Sequence, residues 1–204
     1  LGFTDMDAEG MLIEGFEELS TMATIYNYPS YQKHIERLGF EKDADWIEML
    51  MTVPKETGLP ERLKRVAEIV MKKYDLHIKK YTSSKKIAKE YGQEICSVIN
   101  EAFKPLFGDS ELSQKQIDHY VKMYLPVLDL KLVSLVTEAN GRLVAVGISM
   151  PSMSEALQKA KGKLAPFGWW HLFRALYMKK TDIVDCLLVG VLPVYQSKGV
   201  NSIL

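Results

Sequence analysis

The stretch Val191–Asn201, VLPVYQSKGVN, joins an apolar strand-like run that stops at Pro193 to a polar loop carrying Gln196, Lys198 and Gly199. A helix beginning after such a loop leaves its first amide N–H groups without intrahelical acceptors, and its dipole favours an anion at that end. Gly199 removes a Cβ from the point of closest approach, and Lys198 adds positive charge. The chemistry this arrangement suits is the holding of a phosphate or diphosphate. The Gly-x-x-x-x-Gly-Lys-Ser/Thr pattern of nucleoside triphosphatases is absent. The plainer reading is a strand-to-helix turn whose glycine serves the backbone alone.

Other chemistry is thinner. The acidic stretch DMDAEG, Asp5 to Gly10, lacks the alternating oxygen ligands and closing glutamate of a calcium loop and reads as a surface loop. His34 and His171 have no His, Cys or Asp partner at ligand spacing, so no metal is expected. Cys96, on an apolar helix stripe, and Cys186, in an apolar strand, read as small core residues. No Gly-x-Ser-x-Gly elbow is present. The aromatic run Phe167–Phe173, FGWWHLF, suits core or interface first and an acyl pocket second.

The elements that must position these residues follow from composition and period. The chain has 204 residues, 47% hydrophobic, with 26 Lys+Arg against 26 Asp+Glu. A core is therefore affordable, and the balanced charge argues against nucleic acid held by bulk electrostatics. Two cysteines without motif spacing fit a reduced, cytoplasmic setting. No apolar run is long enough to span a bilayer, and no signal peptide opens the chain. The first residue is Leu, which suggests a piece of a longer polypeptide.

Pro29 opens a helix carrying Tyr31, Ile35 and Leu38 and closed by Gly39. Asp45–Val53 reads as a strand ended by Pro54. After the connector KETGLPER, Pro60 opens a helix with Leu63, Val66 and Val70 on one face. Leu76–Tyr81 alternates as a short strand. A helix capped by Ser83 or Ser84 carries the stripe Ile87, Tyr91, Ile95, Val98 and Ile99. Another follows Ser113, with Ile117, Tyr120, Val121 and Tyr124 facing inward. Two β-rich runs around Asn140-Gly141 predict a hairpin with a type I′ turn. Ser154–Ala160 and Phe167–Met178 read as helices. Asp182–Val191 reads as a strand covered on both faces.

The spacing Val191-x-Pro193-x-x-Gln196-x-x-Gly199-x-Asn201 resembles the acyl-CoA signature of the GCN5-related N-acetyltransferase (GNAT) superfamily, Gln/Arg-x-x-Gly-x-Gly/Ala after a strand ending Val-x-Pro. The order strand, two helices, Asn-Gly hairpin, buried strand agrees with it. The stretches GFTDMDAEGMLIEGF, YNYP, LGFEKDADW and GKLAPFGWW resemble a bacterial group of long GNAT-like proteins. The resemblance implies an α+β fold, a mixed twisted sheet flanked by helices. It divides the chain into residues 1–56, the end of one GNAT-like half, and 57–204, the beginning of a second. It implies that the amides of Ser197, Lys198, Gly199, Val200 and Asn201, with Gln196, hold the CoA diphosphate. Val189 and Val191 would pair with the pantetheine arm through their backbone. Many members carry a tyrosine four residues before the glycine of Leu-Gly-Phe as the acid for the leaving thiolate. Ile35 stands there, leaving Tyr31 and His34 as neighbours on the same helix. Asn201 departs from the family's small third residue.

The implied reaction moves an acyl group, acetyl or longer, from CoA to an amine in a ternary complex. It needs a base for the ammonium proton, a donor for the thioester oxygen and an acid for the thiolate. Asp185 and Glu138 are the carboxylates on the relevant strands, with Asp185 the better placed. Burial would lift its pKa; the plainer reading is a solvated aspartate at a strand start. The Val191 amide is the candidate oxyanion donor. The alternative expectation is a non-catalytic, degenerate GNAT-like module, used for homodimerisation through Trp169 or Trp170 or for partner binding.

Overall fold

The 20-residue helix Ser84–Phe103 (α3) carries its apolar residues as the sequence predicts. Ile87, Tyr91, Ile95, Val98 and Ile99 are all buried, joined by Cys96 and Ala102. Ser83 occupies the N-cap position, but its side chain makes no capping hydrogen bond. The structure is a computed structural model describing residues 10–21, 24–55, 58–108, 110–124, 128–178 and 181–204. Of the acidic stretch Asp5–Gly10, only Gly10 lies among the described residues.

In chain order the other elements are α1 (Ser30–Arg37), α2 (Glu61–Tyr74), β1 (Leu76–Lys79), α4 (Gln114–Tyr124), β2 (Val133–Glu138), β3 (Leu143–Pro151), α5 (Ser154–Ala160), α6 (Gly168–Tyr177) and β4 (Val184–Val191). The architecture is therefore α+β, built on one four-stranded sheet of order β1-β2-β3-β4. β1 pairs antiparallel with β2, Leu76 facing Glu138, and β2 pairs antiparallel with β3, Val133 facing Ile148.

The chain divides into two compact units, residues 1–48 with 151–185 and residues 49–150 with 186–204. The second unit holds most of the core. Leu135, Val136, Leu143, Val144 and Val146 are each at most 1% exposed and pack with the α3 stripe. Gly190 of β4 belongs to the same packing: a Cβ there would lie 3.1 Å from Ile99 Cδ1 and 3.5 Å from Ala102 Cβ. In the first unit α6 packs against α5.

The β2–β3 hairpin forms where Asn140-Gly141 predicts it, but not through a type I′ turn. The Gly141 amide donates to the Glu138 carbonyl (2.9 Å), and only Gly141 has positive φ, +90°. Asn140 keeps negative φ, and its side chain accepts from the Arg142 amide at 2.9 Å. This is a type I turn closed by a left-handed glycine, the usual solution for a loop one residue longer. The register also shifts between Val136 and Thr137.

Thr137 is fully buried, and its hydroxyl has no hydrogen-bond partner among the described residues. A buried hydroxyl without a partner is destabilising, and an isosteric methyl removes that penalty. Thr137→Val is therefore expected to stabilise the second unit by about 1 kcal/mol, seen as a rise of roughly 2–4 °C in melting temperature. A lowered melting temperature would contradict the buried, unpaired hydroxyl.

Four expectations need correction. Asp45–Val53 forms no strand: among the described residues it has no ladder partner, and Ile47, Leu50 and Met51 are all more than 80% exposed. Apolar content favours extension, but a strand also needs an edge to satisfy its backbone groups. β4 is not covered on both faces, since Val184, Cys186 and Val189 are exposed. It lies at the end of the sheet order, so its apolar run does not reflect central burial. Cys186 is accordingly a surface thiol rather than a core residue. Tyr124, in the last position of α4, points outward as well.

Candidate functional site

The loop after β4 contains two short 3₁₀ turns, Pro193–Tyr195 and Val200–Ser202, where the sequence predicts one helix start. Between them Ser197 (φ +60°) and Gly199 (φ +79°) both adopt left-handed backbone. Alternating hand in this way turns successive amides toward one side and makes a concave anion-binding nest.

The amide inventory supports that shape. The Gln196 amide donates to the carbonyls of Leu192 (3.1 Å) and Pro193 (3.3 Å), and the Lys198 amide to Tyr195 (3.3 Å). The Ser202 amide donates to Gly199 at 3.0 Å. Among the described residues, no hydrogen bond is donated by the amides of Ser197, Gly199, Val200 or Asn201. These unused donors fall within the predicted cradle.

Three side chains hold the loop. Gln196 Nε2 donates to the Val191 carbonyl at 3.0 Å, so this glutamine ties the loop back to the strand end. Tyr195 donates its hydroxyl to Glu138 Oε1 at 2.8 Å, and Asn140 donates to the other carboxylate oxygen at 3.0 Å. Burial first, and then the hydrogen bond to Glu138, push the Tyr195 phenol up, with the Arg142 charge opposing. Glu138, the second candidate base, thus braces the hairpin turn against the loop.

The Lys198 ammonium lies 5.2 Å from the Tyr195 ring centre and 5.3 Å from that of Tyr74, and the two rings meet edge-to-face at 6.2 Å. This cation–π pairing keeps a positive charge beside the nest. Tyr74 and Tyr195 are the site residues that sequence reasoning missed. Tyr195 carried a signal as the aromatic between Pro193 and Gln196; Tyr74 closes a helix 121 residues before it and carried none.

Gly199 has a reason that the sequence did not show. A Cβ on it would lie 3.2 Å from Val70 Cγ2 and 3.9 Å from Val66 Cγ1, both on α2. Positive φ and close packing on α2 therefore require glycine whether or not a ligand binds. Val200 beside it is 1% exposed, whereas Asn201 is exposed. Val189 is also exposed, and Val191 is half-buried.

Asp185, Tyr31 and Ile35 belong to the first unit. Asp185 is 8% exposed. Burial raises its carboxyl pKa above the usual range, a hydrogen bond with Ser152 opposes this, and the Glu48 charge adds to it. Tyr31 lies on α1, none of whose residues is buried, and is itself exposed, as is Ile35. The helix ends as Gly39 predicts: Gly39 has φ +86°, its amide reaches Glu36 at 3.0 Å, and the Phe40 amide reaches Ile35 at 3.3 Å. Cys96 is buried, and that burial pushes its thiol up to about 11, away from nucleophile chemistry.

Among the described residues, no group of three His, Cys, Asp or Glu side chains could hold a metal ion, and no helix is long and apolar enough to cross a membrane.

No family model matches the chain. It is similar to the bacterial ceramide synthase of Caulobacter vibrioides (strain NA1000 / CB15N), with 27% identity over 201 residues covering 92% of this chain and 47% of that protein. It is also similar to protein YghO of Escherichia coli (strain K12), with 24% identity over 198 residues covering 96% of this chain and 48% of that protein. The chain thus spans about half the length of these curated relatives.

Proposed function

We propose that this chain is part of an acyl-CoA-dependent N-acyltransferase of GNAT type, acting on a long-chain amine. The observation that carries the reading is the row of unused amides at Ser197, Gly199, Val200 and Asn201, with the Lys198 charge beside them. A diphosphate is the ligand whose charge and oxygens suit such a nest. The end of β4, exposed at Val189 and half-buried at Val191, is the backbone to which the pantetheine arm would bind. The similarity to a protein named ceramide synthase supports the acceptor class, because a ceramide is the amide of a long-chain amino alcohol.

In the proposed reaction the ammonium gives up its proton to solvent, since Asp185 stands six residues, about 20 Å of extended strand, before Val191. The freed nitrogen lone pair then attacks the thioester carbonyl, and the Val191 amide is the proposed donor to the oxyanion. A C–N bond forms, the C–S bond breaks, and the thiolate leaves to be protonated to CoA. The position at which the family carries its acid holds Ile35, so solvent, rather than Tyr31 on the exposed α1, is the proposed proton source for the thiolate.

Saturating acyl-CoA, acetyl or longer, is expected to raise the melting temperature of the purified chain, since a ligand at about 100 times its Kd stabilises by roughly 2.7 kcal/mol. Gly199→Glu is an ambiguous control, because it strains the backbone and meets Val70 whether or not CoA binds. Asn201→Glu is the informative variant: its side chain is exposed, so it leaves the unliganded melting temperature unchanged while placing a negative charge at the nest. The shift should disappear in that variant. If neither acetyl- nor long-chain acyl-CoA moves the parent's melting curve, the reading fails.

A second reading, a non-catalytic module of the same fold used for dimerisation or partner binding, is favoured by Ile35 in place of the expected tyrosine and by Asn201 in place of a small residue. It predicts no CoA release with any amine.

A further inference from the structure

The outward face of α6 is unusually aromatic. Trp169, Trp170, Phe173 and Tyr177 follow the helical repeat on one side and are all exposed, while Gly168 and Ala175 are buried on the other. Trp170 stacks on Phe173 at 5.6 Å, and Phe173 meets Tyr177 at 5.1 Å, so the rings form a continuous ridge. Trp169 adds its ring at 5.8 Å from Trp170 and anchors its indole N–H to the Pro166 carbonyl at 3.1 Å. Phe167, before the helix, is 73% exposed. A contiguous apolar face of this kind on a soluble surface marks a contact with something else.

The charge around it identifies the partner. The chain as a whole has equal numbers of basic and acidic residues, yet between Glu155 and Asp182 it has Lys or Arg at 159, 161, 163, 174, 179 and 180 and no Asp or Glu. Lys161, Lys163 and Arg174 are exposed, and among the described residues none of them has an ion-pair partner. A second copy docking through the same face would oppose these cations to their own images, which a two-fold interface disfavours. Aromatic residues with polar edges beside unpaired cations match the boundary of an anionic bilayer, where rings sit at the headgroup level and lysines meet lipid phosphates.

We propose that α6 and the lysine-bearing approach Lys159–Phe167 form a docking surface for an anionic lipid membrane, with the helix lying in the interface rather than crossing it. This goes beyond the acyl-transfer reading and does not depend on it.

The test is flotation of the purified chain, without acyl-CoA, on vesicles of phosphatidylcholine alone and of an equimolar mixture with phosphatidylglycerol. The mixed vesicles should bind the chain about tenfold or more tightly than the neutral ones, with a tryptophan emission shift to the blue on binding. Two variants divide the contributions: Trp170→Ala/Phe173→Ala, which removes the ridge, and Lys161→Glu/Lys163→Glu, which reverses charge outside any helix. Each should lose most of the binding while the melting temperature stays near the parent's. Absence of flotation, equal binding to both vesicles, or flotation untouched in both variants would overturn the proposal. So would a concentration-dependent dimer abolished by the ridge variant in a chain that does not bind vesicles. Because no thioester is present, a negative result leaves the acyl-CoA melting experiment unaffected, and the reverse holds too.

Discussion

Asp185→Asn is expected to make the protein more stable at neutral pH. Burial raises the folded-state pKa of this carboxyl above its ordinary value of 3.8. Its contribution to folding is therefore complete below that ordinary value and is lost as pH rises through the raised one. At neutral pH the folded chain holds a charge that the unfolded chain would hold more easily. The amide of asparagine removes the charge and keeps a group able to hydrogen-bond Ser152. The pH dependence of stability should flatten in the acid range. Thermal melting of parent and variant across pH measures the effect. A variant no more stable than the parent at neutral pH would contradict the raised carboxyl pKa of this buried aspartate.

Gly168→Ala should be the most damaging glycine-to-alanine change among the described residues. A Cβ at this position would lie 1.7 Å from the Lys163 carbonyl oxygen and 3.2 Å from Ala160 Cβ. The nearer atom is backbone, held in a turn in which the Lys163 amide bonds Ala160 at 3.0 Å and the Trp169 amide bonds Leu164 at 3.0 Å. It cannot swing aside as a side chain could. The turn must open, at a cost of about 3 kcal/mol, the upper part of the range for overpacking, which lowers the melting temperature by roughly 6–12 °C. Gly162→Ala is the matched comparison: its φ is +67°, but nothing lies within 4 Å of the added carbon. It should cost only about 1 kcal/mol of backbone strain. If the two variants melt together, the close approach at Gly168 is wrong.

The contrast between those glycines shows what a sequence can and cannot reveal. The α3 stripe was fully legible, because a 3.6-residue repeat reports directly which side faces a core. So was the hairpin, because Asn-Gly marks a reversal. The particular turn was not, since the same pair serves two loop lengths and only the register of Glu138 against Arg142 decides between them. Asp45–Val53 and the faces of β4 failed for a related reason: whether an apolar run is paired or covered depends on neighbours that the run does not encode. In the candidate site the loop Gln196–Asn201 was legible from spacing. The grip of Tyr195 on Glu138 across 57 residues, and of Lys198 on Tyr74, was not, because each joins distant segments without any local pattern.

The packing of Gly199 against Val70 has a bearing on descent. Folding alone holds a glycine at that position, so selection would retain it even in a lineage that had abandoned its ligand. The motif's most recognisable letter is thus a poor witness to activity. Asn201, exposed and bound by no such constraint, is free to drift, and its identity across related chains would date the loss or keeping of the chemistry far better.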